Sequence, residues 1–428
     1  MRSKFLLSGL FILDFKSKKI INNTYRKTER GSINCFLKTS DIIIRNWNKN
    51  HLNDVLLVFP SAFSANCKNM LMSSIIKKLE LEHMTVTKTL CEESCFVFKV
   101  NDIVEAASST KELFGIDRVA IAKQVPNTFS QVVSAIIATG KQIILPKEKF
   151  FIKVQISSKA KVNYVGRDIA FVSSGDLIEQ LASTGARPAK NEHEADKIIL
   201  SYIGKDYGYI CIQIDKALGG MPFGYQNVRV LCSIHNVLSA ISSLIAIKSG
   251  FVPELLILYA NSEELLQNVK LFGHIADRMG IKRHNLRIAQ IDLYDGLDQG
   301  LKVMLKESIS AKILLQLPGK GVVLPLSATI YPAWFVEWTM KKIILAKKTP
   351  WMPLMLLTDE IQQIAKVFDL EEKLLSINNL STSTLFEKKE YRKHLRKVDI
   401  LSKKAMKNMK TISLKVGPNY LHDIIDAV

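Results

Sequence analysis

The side chains best placed to do chemistry in this chain fall into a few short segments. Between residues 141 and 167 there are seven Lys/Arg and one acid, Glu148. The seven are Lys141, Lys147, Lys149, Lys153, Lys159, Lys161 and Arg167. Cations at this density suit contacts to a phosphate backbone, which position a nucleic acid without reading its sequence. The plainer alternative is a solvated charged face. Tyr164 lies within the stripe and is either a platform for an unpaired base or an edge-of-core tyrosine. Asp292 follows an apolar run, at the end of a strand where doubly wound folds place ligands. Pro318-Gly319-Lys320-Gly321 resembles a phosphate loop but lacks the rest of a Walker pattern and reads as a turn. Cys91 and Cys95 form a lone C-x3-C with no second pair, and core residues explain them better than half a metal site.

The elements that must position these groups follow from apolar periodicity. Val55 to Phe59 and Ser94 to Val100 read as strands, and Asn69 to Leu79 and Val104 to Phe114 as helices, the last stopped by Gly115. This order predicts a small α/β sandwich. Next come strands at Val119 to Ala122, Phe150 to Gln155 and Tyr209 to Ile214, with helices at Ser130 to Thr139 and Gly175 to Leu181. After Gly219-Gly220-Met221-Pro222-Phe223-Gly224 the pattern becomes buried strands alternating with helices. These are Val228 to Cys232, Val237 to Lys248, Leu255 to Tyr259, Ser262 to Met279 and Leu286 to Leu293, with an amphipathic helix at Thr358 to Phe368. Such alternation implies a doubly wound parallel sheet.

Charge points to an anionic partner, and its distribution narrows the inference. The formal net charge is +19, of which residues 1–50 supply +8 and residues 387–410 supply +7. The middle of the chain is therefore close to neutral, and the two ends read as basic tails or as extensions of an RNA-binding surface. The apolar start near Met1 is followed at once by Asp14 and a lysine cluster, with no small-residue cleavage site. The uncharged run from Val230 to Ile247 divides into a strand and a helix, so a cytoplasmic protein without a membrane span is expected. Six scattered cysteines suggest no disulfide framework.

Four segments resemble the tRNA 4-thiouridine synthetase family, also called the thiamine-biosynthesis sulfurtransferases. Leu113-Phe114-Gly115-Ile116 is similar to the joint ahead of that family's THUMP domain. Phe150 to Arg167 is similar to its basic strand-and-turn segment. Gly219 to Gly224 resembles the G-G-L-P-V-G that leads into its ATP-pyrophosphatase (PP-loop) domain, and Pro353 to Ile361 resembles a late segment of that domain. The likeness covers residues about 54–375. It implies an α/β protein with an N-terminal ferredoxin-like domain (54–117), a THUMP domain (118–220) and a doubly wound, PP-loop-like domain (221–386). A basic extension (1–53) and a basic tail (387–428) flank these.

The resemblance implies ATP-dependent tRNA thiolation, and the residues depart from it at the chemistry. A PP-loop requires S-G-G-x-D-S between strand and helix, so that backbone amides can approach a phosphate. Here the segment is Cys232-Ser233-Ile234-His235-Asn236-Val237-Leu238-Ser239, with no glycine in the turn. Ser233, His235, Asn236 and Ser239 are thus the residues of a degenerate nucleotide loop, in which Asn236 is a good helix N-cap. No cysteine follows Cys232 to carry sulfur, and Cys232 itself reads as core. The expectation is a tRNA-binding protein with no catalytic residues and no cofactor, ATP binding only if the degenerate loop still holds it. Its partners would be the tRNA acceptor region and a separate modifying enzyme or sulfur donor. An active sulfurtransferase with an atypical site and a structural or regulatory protein-binding module are the other readings.

Overall fold

The computed structural model describes residues 54–293, 297–376, 388–416 and 420–426. The extension at 1–53 lies outside them. Two sheets organise the chain, eight-stranded and six-stranded, in that order.

The first sheet contains β1 (Asp54–Pro60), β2 (Val86–Cys91), β3 (Phe96–Val100), β4 (Ile116–Pro126), β5 (Lys149–Ile156), β6 (Arg187–Pro188), β7 (Lys197–Ile203) and β8 (Tyr207–Gly219). Their spatial order is β2-β3-β1-β4-β8-β7-β5-β6. Helices α1 (Lys68–Leu81) and α2 (Ile103–Thr110) pack on Leu56, Val58, Phe96, Phe98 and Ile121. Helices α3 (Phe129–Ile143) and α4 (Gly166–Gln180) pack on Phe150, Ile152, Ile199 and Ile210. Residues of opposite parity, among them Val55, Leu57, Ala120, Tyr202 and Tyr209, form a separate core. This division follows from the two-residue period of a strand. Strand β4 pairs with β1 on one side and β8 on the other. The boundary expected between residues 117 and 118 therefore runs through a strand, and the ferredoxin-like and THUMP segments share one sheet.

Contacts between turns reinforce that union. The Glu92 carboxylate accepts from the Tyr209 hydroxyl at 3.4 Å and the Lys205 amide at 3.3 Å. Its neighbour Glu93 accepts from the Ser157 hydroxyl at 2.8 Å and from the Ser158 amide and hydroxyl at 2.7 and 2.8 Å. These bonds, Ser157 first, hold the Glu93 carboxyl below the usual carboxylate range.

The second sheet contains β9 (Arg229–Ile234), β10 (Val252–Tyr259), β11 (Arg283–Gln290), β12 (Gly321–Val323), β13 (Thr349–Trp351) and β14 (Lys410–Lys415), ordered β13-β12-β9-β10-β11-β14. All its pairings are parallel except β11 with β14. Strand order reverses at β9, so the crevice of a doubly wound fold falls between the C-terminal ends of β9 and β12. Helices α5 (Val237–Lys248), α6 (Ser262–Met279), α7 (Gln299–Gln316), α8 (Ala333–Leu345) and α9 (Asp359–Val367) cover the sheet. The tail expected from residue 387 is instead part of this unit. After α10 (Lys388–Lys393), helix α11 (Leu395–Lys407) packs on α7 and β14 extends the sheet, followed by α12 (Tyr420–Asp426). Tyr391, Val398 and Ala405 are buried, which outweighs the charge around them.

The Gly219–Gly224 segment joins the units. Gly219, Gly220 and Gly224 have φ of 66°, 78° and 77°. A Cβ on Gly220 would stand 2.5 Å from the Lys248 carbonyl oxygen, so side chain and conformation are both excluded there. The Ser61 hydroxyl donates to the Gly220 carbonyl at 2.5 Å, and the Gly115 amide to the Gly219 carbonyl at 2.8 Å. The two motifs flanking the second segment thus pack on each other. Glu80 meets Lys282 at 3.1 Å, and Glu112 meets Arg278 at 3.8 Å.

Candidate functional site

Along the first unit the basic residues separate into two groups. Lys141 lies in the last turn of α3, Lys147 in the following loop at φ 67°, and Lys149 opens β5 beside Arg187 of β6. Lys159, Lys161 and Arg167 lie beyond the other end of β5, in the loop into α4 and its first turn. The strand between them is about 23 Å long at ~3.3 Å per residue. Lys153, midway, is half-buried and paired with Glu192 at 2.6 Å. Lys141, Lys147, Lys159, Lys161 and Arg167 are exposed, and Lys149 is half-buried.

Tyr164 takes the edge-of-core role. Its hydroxyl donates to the Asn127 carbonyl at 2.6 Å and its ring meets Phe129 edge-on at 5.7 Å. Burial raises its pKa. The exposed aromatic near the cations is Phe171, one turn after Arg167 on α4 and 79% exposed. Gly175, one further turn along, has open space where a side chain would be, and Ile178 continues the face at 44% exposure. Apolar periodicity marks only residues 175–181 as helix, so Phe171 lies outside the segment that it picks out. The signal that could have found it is Arg167 and Phe171 at i, i+4, on one helical face.

At the crevice between β9 and β12 the turn after β9 forms a helix cap. Asn236 caps α5: its side chain accepts from the Ser239 amide at 2.8 Å, and the Ser239 hydroxyl lies 3.0 Å from the Asn236 amide and 2.9 Å from the His235 amide. The reciprocal capping box satisfies the amides that a nest would turn toward an anion. None of Ser233, His235, Asn236 and Ser239 has positive φ. The Ser233 hydroxyl accepts from Ser310 at 2.7 Å, within the core.

Beneath the loop lies a carboxylate that sequence reading did not single out. Glu307, on α7, is 2% exposed. One of its oxygens is 2.8 Å from His235 Nε2 and accepts from Asn236 Nδ2 and the Tyr331 hydroxyl, each at 3.3 Å. The residues lie 71 to 72 positions apart along the chain on the loop side, a distance no local pattern spans. Burial, followed by the Glu307 charge, pushes the Tyr331 hydroxyl well above its ordinary pKa. Nearby, Lys306 pairs with Glu264 at 2.6 Å.

The remaining candidates have structural roles. Asp292 pairs with Lys404 of α11. Gly319 and Leu317 carbonyls accept from Lys348 across the 318–321 turn. Cys232 is fully buried, and burial lifts its thiol to about 12, which withholds the thiolate at neutral pH. Cys91 is exposed and Cys95 buried, both as free thiols. Among the described residues no group of three or more His, Cys, Asp or Glu side chains is placed to hold a metal, and no helix is long and apolar enough to cross a membrane.

The fold is that of an α/β protein, a mixed eight-stranded sheet followed by a doubly wound, largely parallel six-stranded sheet. No protein-family profile matches the chain. It is 21% identical over 201 residues to the probable tRNA sulfurtransferase of Methanosarcina mazei, which is 47% of this chain and 48% of that one. The chain thus spans about half the length of the curated relative it matches. In fold it is similar to PH1313 of Pyrococcus horikoshii, at TM-score 0.56 and 19% identity over 74% of this chain and 100% of that one. It is also similar to a 4-thiouridine synthetase solved as an RNA complex with bound ATP, at TM-score 0.57 and 13% identity over 84% and 99%. The chain is thus similar in sequence, over about half its length, to a probable tRNA sulfurtransferase, and similar in fold to PH1313 and to a 4-thiouridine synthetase.

Proposed function

We propose that this chain binds tRNA through its first unit and does not itself carry out ATP-dependent sulfur transfer. The observation that carries the second half is the Glu307 carboxylate beneath the 233–239 loop, held by His235, Asn236 and Tyr331. An anion is already present where a triphosphate would need donors, and bringing a second anion into that buried space is costly. Thiolate chemistry has no support from this unit either, since its one cysteine is in the core. The binding half rests on the exposed cations at both ends of β5 and on the kinship with tRNA sulfurtransferases. In this reading the protein presents tRNA to a separate modifying enzyme or sulfur donor, in the cytoplasm.

The test has two arms on the full chain. An unmodified tRNA transcript titrated at several KCl concentrations should bind with a steep salt dependence, and a Lys159→Ala/Lys161→Ala/Arg167→Ala variant should lower the slope by about 2 to 3, at roughly 0.7 to 0.9 per phosphate contact. Equilibrium dialysis with ATP should detect no binding at micromolar concentrations, with or without tRNA. Micromolar ATP affinity with tRNA-dependent AMP release would overturn the non-catalytic reading in favour of an active sulfurtransferase. Absence of tRNA binding at low salt would leave a protein-binding module.

A further inference from the structure

Three helices of the second unit lie side by side on one face of its sheet, with α7 between α8 and α11. Each presents a lysine toward the same surface. Lys342, near the end of α8, places its ammonium 3.5 Å from the centroid of the Trp338 ring. Lys312, on α7, pairs with Asp399 of α11. Lys403 is exposed on α11, one turn past Asp399. Among the described residues Asp399 is the one carboxylate paired with any of the three.

These cations are close enough to oppose one another. Burial and then the Lys312 charge draw Lys342 down to about 8. Burial and then the Lys403 charge lower Lys312. Partial burial and the neighbouring like charges disfavour the charged forms, and a polyanion reverses that penalty. The surface is also separate from the crevice. Lys312 lies five residues past Glu307 on α7, rotated by about 140° at 100° per residue, so it faces outward where Glu307 faces the core. Exposed Arg396, Lys341 and Lys407 continue the positive field on α8 and α11.

We propose that Lys312, Lys342 and Lys403 form a second phosphate-contact surface for RNA, distinct from the two groups on the first unit. The inference rests on the RNA-binding reading above and adds the second unit to the footprint. RNA is favoured over an acidic peptide because the partner must span cations on three helices, which a continuous phosphate backbone does. The aromatic ring beneath Lys342 adds a cation–π contact that keeps the ammonium in place while it meets a phosphate.

The experiment uses the full chain and an unmodified tRNA transcript. In the Lys312→Ala/Lys342→Ala/Lys403→Ala variant the slope of log affinity against log salt should fall by about 2 to 3. Affinity at moderate salt should drop about tenfold or more, with the thermal transition near that of wild type. As a direct readout, Lys342 of the wild type should acylate readily with an amine-reactive ester near pH 8. Saturating tRNA should protect it, and polyglutamate of equal charge should not. Three outcomes would overturn the proposal: an unchanged salt slope in a variant of a chain that does bind tRNA, unchanged Lys342 labelling with tRNA bound, or protection by polyglutamate alone. A wild type that binds no tRNA would instead remove the RNA reading on which it rests.

Discussion

At the scale of single residues, the side chains that matter are separated from those that merely resemble them by what each already touches. Tyr164 and Phe171 are both aromatic and both near exposed cations, but only Phe171 has its ring free. Phe171→Ala should weaken tRNA binding by about 1–3 kcal/mol, the worth of one base–aromatic stack, and leave the unfolding midpoint unchanged. Tyr164→Phe should do the reverse, costing about 1 kcal/mol of stability with affinity intact. Equilibrium binding and urea unfolding of the two variants check both. Glu307 is the other decisive residue. Glu307→Ala leaves His235, Asn236 and Tyr331 without their shared acceptor, and should cost at least about 1–3 kcal/mol in urea unfolding, the loss seen when a buried polar group is left unsatisfied. What was legible here was local: Asn236 as an N-cap follows from its position before an apolar helix. Glu307 was not legible because its partners come from the turn after β9 and from the segment after β12, which only the folded sheet brings together.

At the scale of elements, periodicity revealed strands and helices that bury one face and missed those that do not. Strand β2, Val-Thr-Lys-Thr-Leu-Cys, has no buried residue and gave no signal. The first half of α4 gave little signal because its buried face shows only one large apolar residue, Ile169, beside Ser173, while Phe171 and Val172 face solvent. Basic character concealed α11 and β14, whose buried positions are few: Val398, Ser402, Ala405 and Leu414. Helix α6 was read to its ends, and it carries a pH dependence. Burial, then the neighbouring Arg278 charge, lowers His274 from 6.5 to about 4. The folded chain therefore holds this ring neutral while the unfolded chain protonates it near 6.5. The stabilisation is complete above 6.5 and is lost as pH falls from there toward 4, a window worth about 3 kcal/mol. Urea midpoints measured from pH 7 to 4 should fall across this range, and His274→Leu should flatten that part of the profile. The same ring stands 5.7 Å from Phe368, so the apolar replacement keeps its packing partner.

At the scale of the whole molecule, the joint between the units decides whether they act as one body. Its sequence was readable as a turn and as a family motif, yet its function lies in close approach. Gly220 takes φ 78° with the Lys248 carbonyl where a Cβ would stand, and its own carbonyl accepts from Ser61 of the first unit. The Gly115 amide ties the second motif to the first through Gly219. Around this contact the ion pairs Glu80–Lys282 and Glu112–Arg278 bridge the same interface. Arg278 is 3% exposed and lies 4.5 Å over the Phe368 ring, so part of that bridge is desolvated and persists in salt. If tRNA rests on both units, their relative placement is part of the affinity. Gly220→Val requires a β-branched residue at positive φ and displaces α5 from the joint. Calorimetry of wild type should show one transition, and the variant should show two as the second unit unfolds without the first. Affinity for tRNA should fall while the salt slopes assigned to each unit persist, because the phosphate contacts remain and only their common orientation is lost. A variant that unfolds in a single transition and binds tRNA like wild type would mean that the glycine joint is a passive linker and the two surfaces act independently.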